Sequence, residues 1–296
     1  MPDERLWRDS LDGLSVGDAV GAQFFVPGMT VAMLDAPPDG GGEPWPWTDD
    51  TEMACSLVDI LHRCGHVDQD LLAAAFADRY EPYRGYGGGA VVLLRQIRDG
   101  AAWREAAAGS FGGAGSMGNG AAMRVAPLGA WYAGDSRTAA LEAIRSAEVT
   151  HAHPEGVLGA VAVAVAAAEA GRARRDAETL APSDLLETVL AHLVPGRTHD
   201  GIVRARNLLH AEVAEAAYEL GNGSQALAHD TVPFAVWVAA THLDDYRAAI
   251  LACIEAGGDV DTTSAIVGGI VATYTGLDGI PATWLHRREP LPAYVP

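Results

Sequence analysis

Apolar residues recur through most of this chain at intervals of three and four, the period of a helix, and few segments alternate as a strand would. The first helical pattern covers residues 5–22, with Leu6, Leu11, Leu14 and Val20 among its apolar positions. It also carries Gly13, Gly17 and Gly21 at intervals of four, a row that lets another backbone come close. In a second pattern Met53, Leu57 and Leu61 recur every four residues. Helices are predicted further on at 70–80, 91–97 and 136–149, and a very small-residue helix at 157–170. Segments 182–193, 201–220 and 232–240 complete the series, where Pro233 fits only near a helix start. Residues 27–46, with Pro37-Pro38-Asp39-Gly40-Gly41-Gly42, predict a long surface loop of the kind that forms lids. Two glycine-rich turns stand at 82–89 and 111–120, each before a helical pattern. No internal period of 20 to 50 residues is visible, which excludes a solenoid.

Composition sharpens the class. The chain has 296 residues, 49% hydrophobic, rich in alanine and only 7% aromatic, which favours tightly packed helices over sheet. The expected fold is all-α, and with no boundary announced it is expected to be a single domain over 1–296. A net charge of −19, from 39 acidic against 20 basic residues, repels nucleic acid and anionic membranes and favours a cation or small molecule as partner. Cys55, Cys64 and Cys253 match neither a zinc site nor a disulfide framework, which suits a reducing cytoplasm. The charged start Met1-Pro2-Asp3-Glu4-Arg5 has no apolar stretch of signal length after it. The most apolar segment, 157–168, stops at Glu169, too short to span a bilayer, so a cytoplasmic protein is expected.

Two acidic clusters carry the candidate chemistry. Thr48-Asp49-Asp50-Thr51-Glu52 precedes one helical pattern, and Gly257-Gly258-Asp259-Val260-Asp261-Thr262-Thr263-Ser264 precedes the apolar run 265–274. Aspartate is a favoured helix cap, and Asp244-Asp245 before Tyr246 reads as a plain one. The other two clusters repeat carboxylates and add hydroxyls beside glycines, which is more than capping requires. Four nearby carboxylates need cations, and oxygen-only ligation suits Mg²⁺, Mn²⁺ or Ca²⁺ rather than zinc. The glycine turns fit neither the Walker pattern nor the dinucleotide fingerprint, yet their open N–H groups suit phosphate oxygens. His151 and His153, in Thr150-His151-Ala152-His153-Pro154, could be ligands, stacking partners or capping residues. No Ser-His-Asp order or nucleophile elbow is present.

Taken in order, Gly17-Asp18-Ala19-Val20-Gly21, Trp47-Thr48-Asp49-Asp50-Thr51, Arg84-Gly85-Tyr86-Gly87, Gly118-Asn119-Gly120-Ala121-Ala122-Met123-Arg124, Thr150-His151-Ala152-His153-Pro154 and Gly257-Gly258-Asp259-Val260-Asp261-Thr262 resemble the motifs of the ADP-ribosylglycohydrolase family. The resemblance covers nearly the whole chain. It implies an all-α fold with two Mg²⁺ or Mn²⁺ ions held by Thr48, Asp49, Asp50, Asp259, Asp261 and Thr262. It also implies an ADP-ribose cleft in which Gly85 and Gly87 line one wall, Ser116, Gly118, Asn119 and Gly120 hold phosphates and ribose, and His151 lies against the ligand. Many family members carry a glutamate near the metals, a few residues after the first motif. Here that spacing falls on Phe25, in Gln23-Phe24-Phe25, with Glu43 as the alternative source of a carboxylate.

The activity so implied is metal-dependent hydrolysis of the bond between ADP-ribose and an acceptor, with an arginine side chain of a modified protein as the first expectation. Asp49, Asp50 or Asp261 would take the proton of the attacking water. The competing readings are an ADP-ribose-binding module with little turnover, a hydrolase of O-linked or small-molecule conjugates, and a plain helical scaffold.

Overall fold

The structure, a computed structural model, describes residues 3–35 and 43–296. It is all helical: among the described residues strand pairing is limited to two isolated bridges, Trp45 with Arg288 and Gly118 with Leu227. The N-terminal half holds α1 (Glu4–Gln23), α2 (Val31–Leu34), α3 (Asp49–Cys64), α4 (Gln69–Arg79), α5 (Gly88–Arg98), α6 (Trp103–Gly113), α7 (Ala126–Trp131) and α8 (Ser136–Glu148). The C-terminal half holds α9 (Pro154–Arg175), α10 (Pro182–Leu190), α11 (Arg197–Asn207), α12 (Val213–Leu220), α13 (Ala228–Thr241), α14 (Tyr246–Ala256), α15 (Val260–Thr275) and α16 (Ala282–Arg287).

The closest packing is between the first and fifteenth helices, and the glycine row explains it. A Cβ on Gly17 would lie 2.7 Å from the Ser264 carbonyl carbon, and one on Gly21 would lie 2.6 Å from Asp261 Cα. Neither fits, so only glycine lets α1 settle on the α15 backbone. That contact sets Asp18 of α1 beside Asp261 of α15. Helix α9 runs through the core, lined with alanine and valine against α7, α8, α13 and α15.

Four expectations change. The run 201–220 is two helices, α11 and α12, because the pattern breaks around Leu208 and Glu212, where the latter takes an extended N-cap conformation. Pro233 lies in the second turn of α13, since Ala228 already begins the helix. The span 27–46 contains α2 in its described part, while Pro37-Pro38-Asp39-Gly40-Gly41-Gly42 falls outside the described residues. Glu169 does not end the apolar helix: α9 has 22 residues, enough to cross a membrane by length, but it is buried in the protein core and Glu169 pairs with Arg172 at 2.8 Å.

Candidate active site and metal centre

Helix starts build the site. Thr48 caps α3 in an extended conformation, which puts Asp49 and Asp50 in its first turn. Gly257 and Gly258, with φ of 63° and 75°, make the left-handed bend that delivers Asp259 and Asp261 to the start of α15. The plain cap behaves as expected elsewhere: Asp245 accepts from the Ala248 N–H at 2.9 Å. Among the described residues Asp259 makes no such cap bond, and Asp261 accepts from the neighbouring Thr262 N–H at 2.7 Å. His153 settles as a cap, its Nδ1 accepting from Glu155 N–H at 3.1 Å.

At the centre is Asp18, which no reading of its local sequence placed among the ligands. It is fully buried in α1 and accepts from the Thr48 N–H at 2.9 Å and from the Thr51 hydroxyl at 2.6 Å, pinning α3 to α1. Carboxylate oxygens of Asp18, Asp50 and Asp261 lie within 4.8 Å of one another. The Thr48 hydroxyl stands 2.9 Å from both Asp18 and Asp50. One hydroxyl proton serves only one of them, so the second contact needs a carboxyl proton or a cation. The other Asp50 oxygen, Oδ1, is buried with no partner among the described residues.

The electrostatics agree. Burial, then the charge of Asp18, holds Asp50 well above the usual carboxylate range, and burial followed by Asp259 and Asp18 does the same to Asp261. Asp49 is pushed up to about 8 by burial and by Asp18 and Asp259. Asp18 rises only to about 6, because its threonine partners favour the ionised form against burial. Crowded carboxylates with an orphaned oxygen, and oxygen as the sole donor type, fit a hard divalent cation.

Two cavities meet at this cluster. One, of about 750 Å³, is lined by Asp49, Asp50, Asp259, Asp261 and Thr262 on its floor and by Gly85, Gly87, Ser116, Gly118, Asn119, Gly120 and His151 on its walls. Every residue expected at the site therefore lines it except Thr48, which lines the other cavity. Phe111 also reaches it, exposed and held at φ 52°. The turn is more engaged than bare glycines suggest. Gly118 N–H donates to Ser116 Oγ at 3.2 Å, and Asn119 N–H to Ala226 O at 3.1 Å. The Asn119 amide donates to Asp259 at 2.7 Å and to Thr231 at 3.1 Å, so it orients a carboxylate of the cluster.

The second cavity, of about 980 Å³, shares Gly85, Asp259 and Asp261 with the first and is lined by Phe25, Glu43, Trp47, Tyr83, Arg84 and Glu289 among others. Arg84 locks its wall. It holds Glu289 with two bonds of 2.7 and 2.9 Å, donates to Trp47 O at 2.9 Å and stacks on the Trp47 ring at 3.4 Å. The C-terminal segment thus braces both the chain entering Asp49 and the Gly85 wall, a link no sequence pattern announces.

An all-helical fold whose helix starts gather carboxylates beside a glycine-lined cleft defines a small-molecule site with a carboxylate group that could hold a hard cation. The chain belongs to the ADP-ribosylglycohydrolase family, whose model matches residues 3–294. Enzymes of this family hydrolyse the glycosidic bond of ADP-ribose conjugates. The chain is 30% identical to an ADP-ribosylhydrolase ARH3 of Gallus gallus, over 97% of this chain and 90% of the relative. It is 28% identical to the ADP-ribosyl-[dinitrogen reductase] glycohydrolase of Rhodospirillum rubrum, over 94% and 88%. A solved structure, an "ADP-ribosylglycohydrolase-related protein complex", superposes with a TM-score of 0.64 at 25% identity, over 97% of this chain and 94% of that one.

Proposed function

We propose that the protein releases ADP-ribose from arginine side chains of modified proteins, and that it does so with two Mg²⁺ or Mn²⁺ ions held by Thr48, Asp49, Asp50, Asp259, Asp261 and Thr262. The observation that carries this reading is the meeting of two cavities over one carboxylate cluster. A bond lying over the cluster has room for ADP-ribose on the glycine-turn side and for the acceptor on the other. The acceptor side offers the Glu43 carboxylate and the exposed rings of Phe25 and Tyr83, a set suited to a guanidinium through charge and cation–π contact.

When bound, the ions polarise the ribose diol and lower the pKa of a water. The protein's own residues do the rest. Asp49, Asp50 or Asp261 accepts the water proton, each standing at the cluster over which the scissile bond would lie. The ribose carbon gains the water oxygen and loses the guanidino nitrogen, which leaves with the proton that the carboxylate took from the water. Asn119 and Asp18 hold the carboxylates in register.

Purified protein is assayed on arginine-linked and serine-linked ADP-ribosyl peptides, with and without Mg²⁺. Cleavage of the arginine conjugate alone, dependent on the ion, supports the reading; cleavage of the serine conjugate alone overturns the acceptor assignment. Asp49→Asn and Asp261→Asn should each lower kcat by orders of magnitude at saturating Mg²⁺, while Asp244→Asn should not. A near-normal kcat in either of the first two would remove those residues from the centre.

A further inference from the structure

Behind the glycine turn lies Arg124, fully buried and without a salt bridge among the described residues. Its Nη1 donates to Gly120 O at 3.2 Å, its Nη2 donates to Ser146 O at 2.8 Å and to Thr150 Oγ1 at 3.0 Å, and its guanidinium lies 4.5 Å from the Phe76 ring centre. Nε has no partner. Burial lowers its pKa to about 9, which leaves it charged at neutral pH. An unpaired buried charge is costly, so its neighbours indicate what it does.

The neighbour that matters is Thr150, whose hydroxyl oxygen also stands 2.7 Å from His151 Nδ1. Counting protons decides the direction. If Nδ1 carried a hydrogen, that N–H and the Arg124 N–H would both point at one oxygen, and the hydroxyl proton would have no acceptor among the described residues. With a bare Nδ1 each contact at the Thr150 oxygen has its own proton: Arg124 donates to Thr150, and Thr150 donates to His151. The ring proton then sits on Nε2. That nitrogen has no protein partner among the described residues and faces the turn, 3.3 Å and 3.2 Å from where Cβ atoms on Gly118 and Gly120 would be.

We infer that Arg124 and Thr150 are positioning residues which hold His151 as a neutral imidazole, its Nε2–H aimed into the glycine-lined cavity as donor to an anionic oxygen of the ligand. On the ADP-ribose reading, which this assignment of the oxygen rests on, that atom belongs to the diphosphate. The surroundings favour the neutral form: burial first, and then the Arg124 charge, push His151 down to about 3. A neutral donor keeps one geometry over a wide pH range, where an imidazole free to change tautomer would present a lone pair to the phosphate part of the time.

The test is long-range proton–nitrogen NMR of the ligand-free, full-length protein, with His151 assigned by its loss in His151→Gln. The expected result is a pyrrole-type Nε2 and a pyridine-type Nδ1, unchanged over about pH 5 to 9. A protonated Nδ1, or titration within that range, overturns the inference. In Thr150→Val the tautomer should mix and ADP-ribose affinity, read by calorimetry, should fall about tenfold, whereas Thr150→Ser should retain both. A mixed tautomer with unchanged affinity would refute the donor role. Should the wild type show the expected tautomer yet bind no ADP-ribose, the positioning by Arg124 and Thr150 stands and the ligand assignment fails.

Discussion

Replacing Asp49 by Asn should make the chelator-treated protein more stable, against the usual sense of a substitution near an active site. In the fold its carboxyl is raised to about 8, against an ordinary value of 3.8, by burial and then by Asp18 and Asp259. A carboxyl that holds its proton more tightly when folded destabilises the fold as pH rises above the unfolded value, and the penalty is complete above the folded one. At about 1.4 kcal/mol per unit, the gap between 3.8 and neutral pH amounts to about 4 kcal/mol at pH 7 and about 1.5 kcal/mol at pH 5. For a chain of this length, an unfolding entropy of roughly 0.6 kcal/mol per degree turns the larger figure into about 6 °C. Asp49 faces the cavity, whose water screens part of the interaction, so a rise of about 3 °C or more is expected. Thermal melts in chelator at pH 7.5 and pH 5 check it, with Asp244→Asn as control. The gain should be largest at pH 7.5, shrink at pH 5 and reverse with saturating Mg²⁺, where the wild type regains its cation and the variant lacks a ligand. An aspartate that merely complemented the dipole at the start of α3 would lose about 0.3–1 kcal/mol on the same change at pH 7.5. A lower melting temperature for Asp49→Asn in chelator would therefore refute the crowding.

Gly118→Val should weaken ADP-ribose binding by at least about tenfold in calorimetry while the protein still melts cooperatively, because a Cβ there meets Ser116 Oγ at 3.2 Å and His151 Nε2 at 3.3 Å; unchanged affinity would return the turn to a plain connection. Gly17→Ala gains about 1 kcal/mol of helix propensity but forces α1 off the Ser264 backbone, at a cost of about 1–3 kcal/mol or more. The expected net effect is a lower melting temperature together with weaker Mg²⁺ binding, since Asp18 moves with the helix; a stabilised variant with unaltered Mg²⁺ affinity would show that α1 and α15 need no glycine there.

Much of this protein is decided within a few residues of chain. The period of apolar positions marks α1, α3, α4 and α8, since a helix shows its buried face at intervals of three and four. The acidic starts of α3 and α15, the left-handed glycines before Asp259 and the cap at Asp245 are equally local, because first-turn N–H groups and left-handed bends select particular residues. The ordered motifs carried the family and most residues of the cleft, and the glycine row announced a close neighbour for α1 without naming it. Asp18 was hidden for a physical reason: an aspartate inside a helix reads as a solvated face, and only the packing of α1 on α15 buries it beside Asp50 and Asp261. The same holds for Arg84 with Glu289, 205 residues apart, and for Arg124 with Thr150, whose partners depend on how helices stack. Local sequence selects the helices and their ends; which carboxylates share a cation, which cavity faces the acceptor and which way a histidine proton points are set by contacts between distant segments that no local propensity encodes.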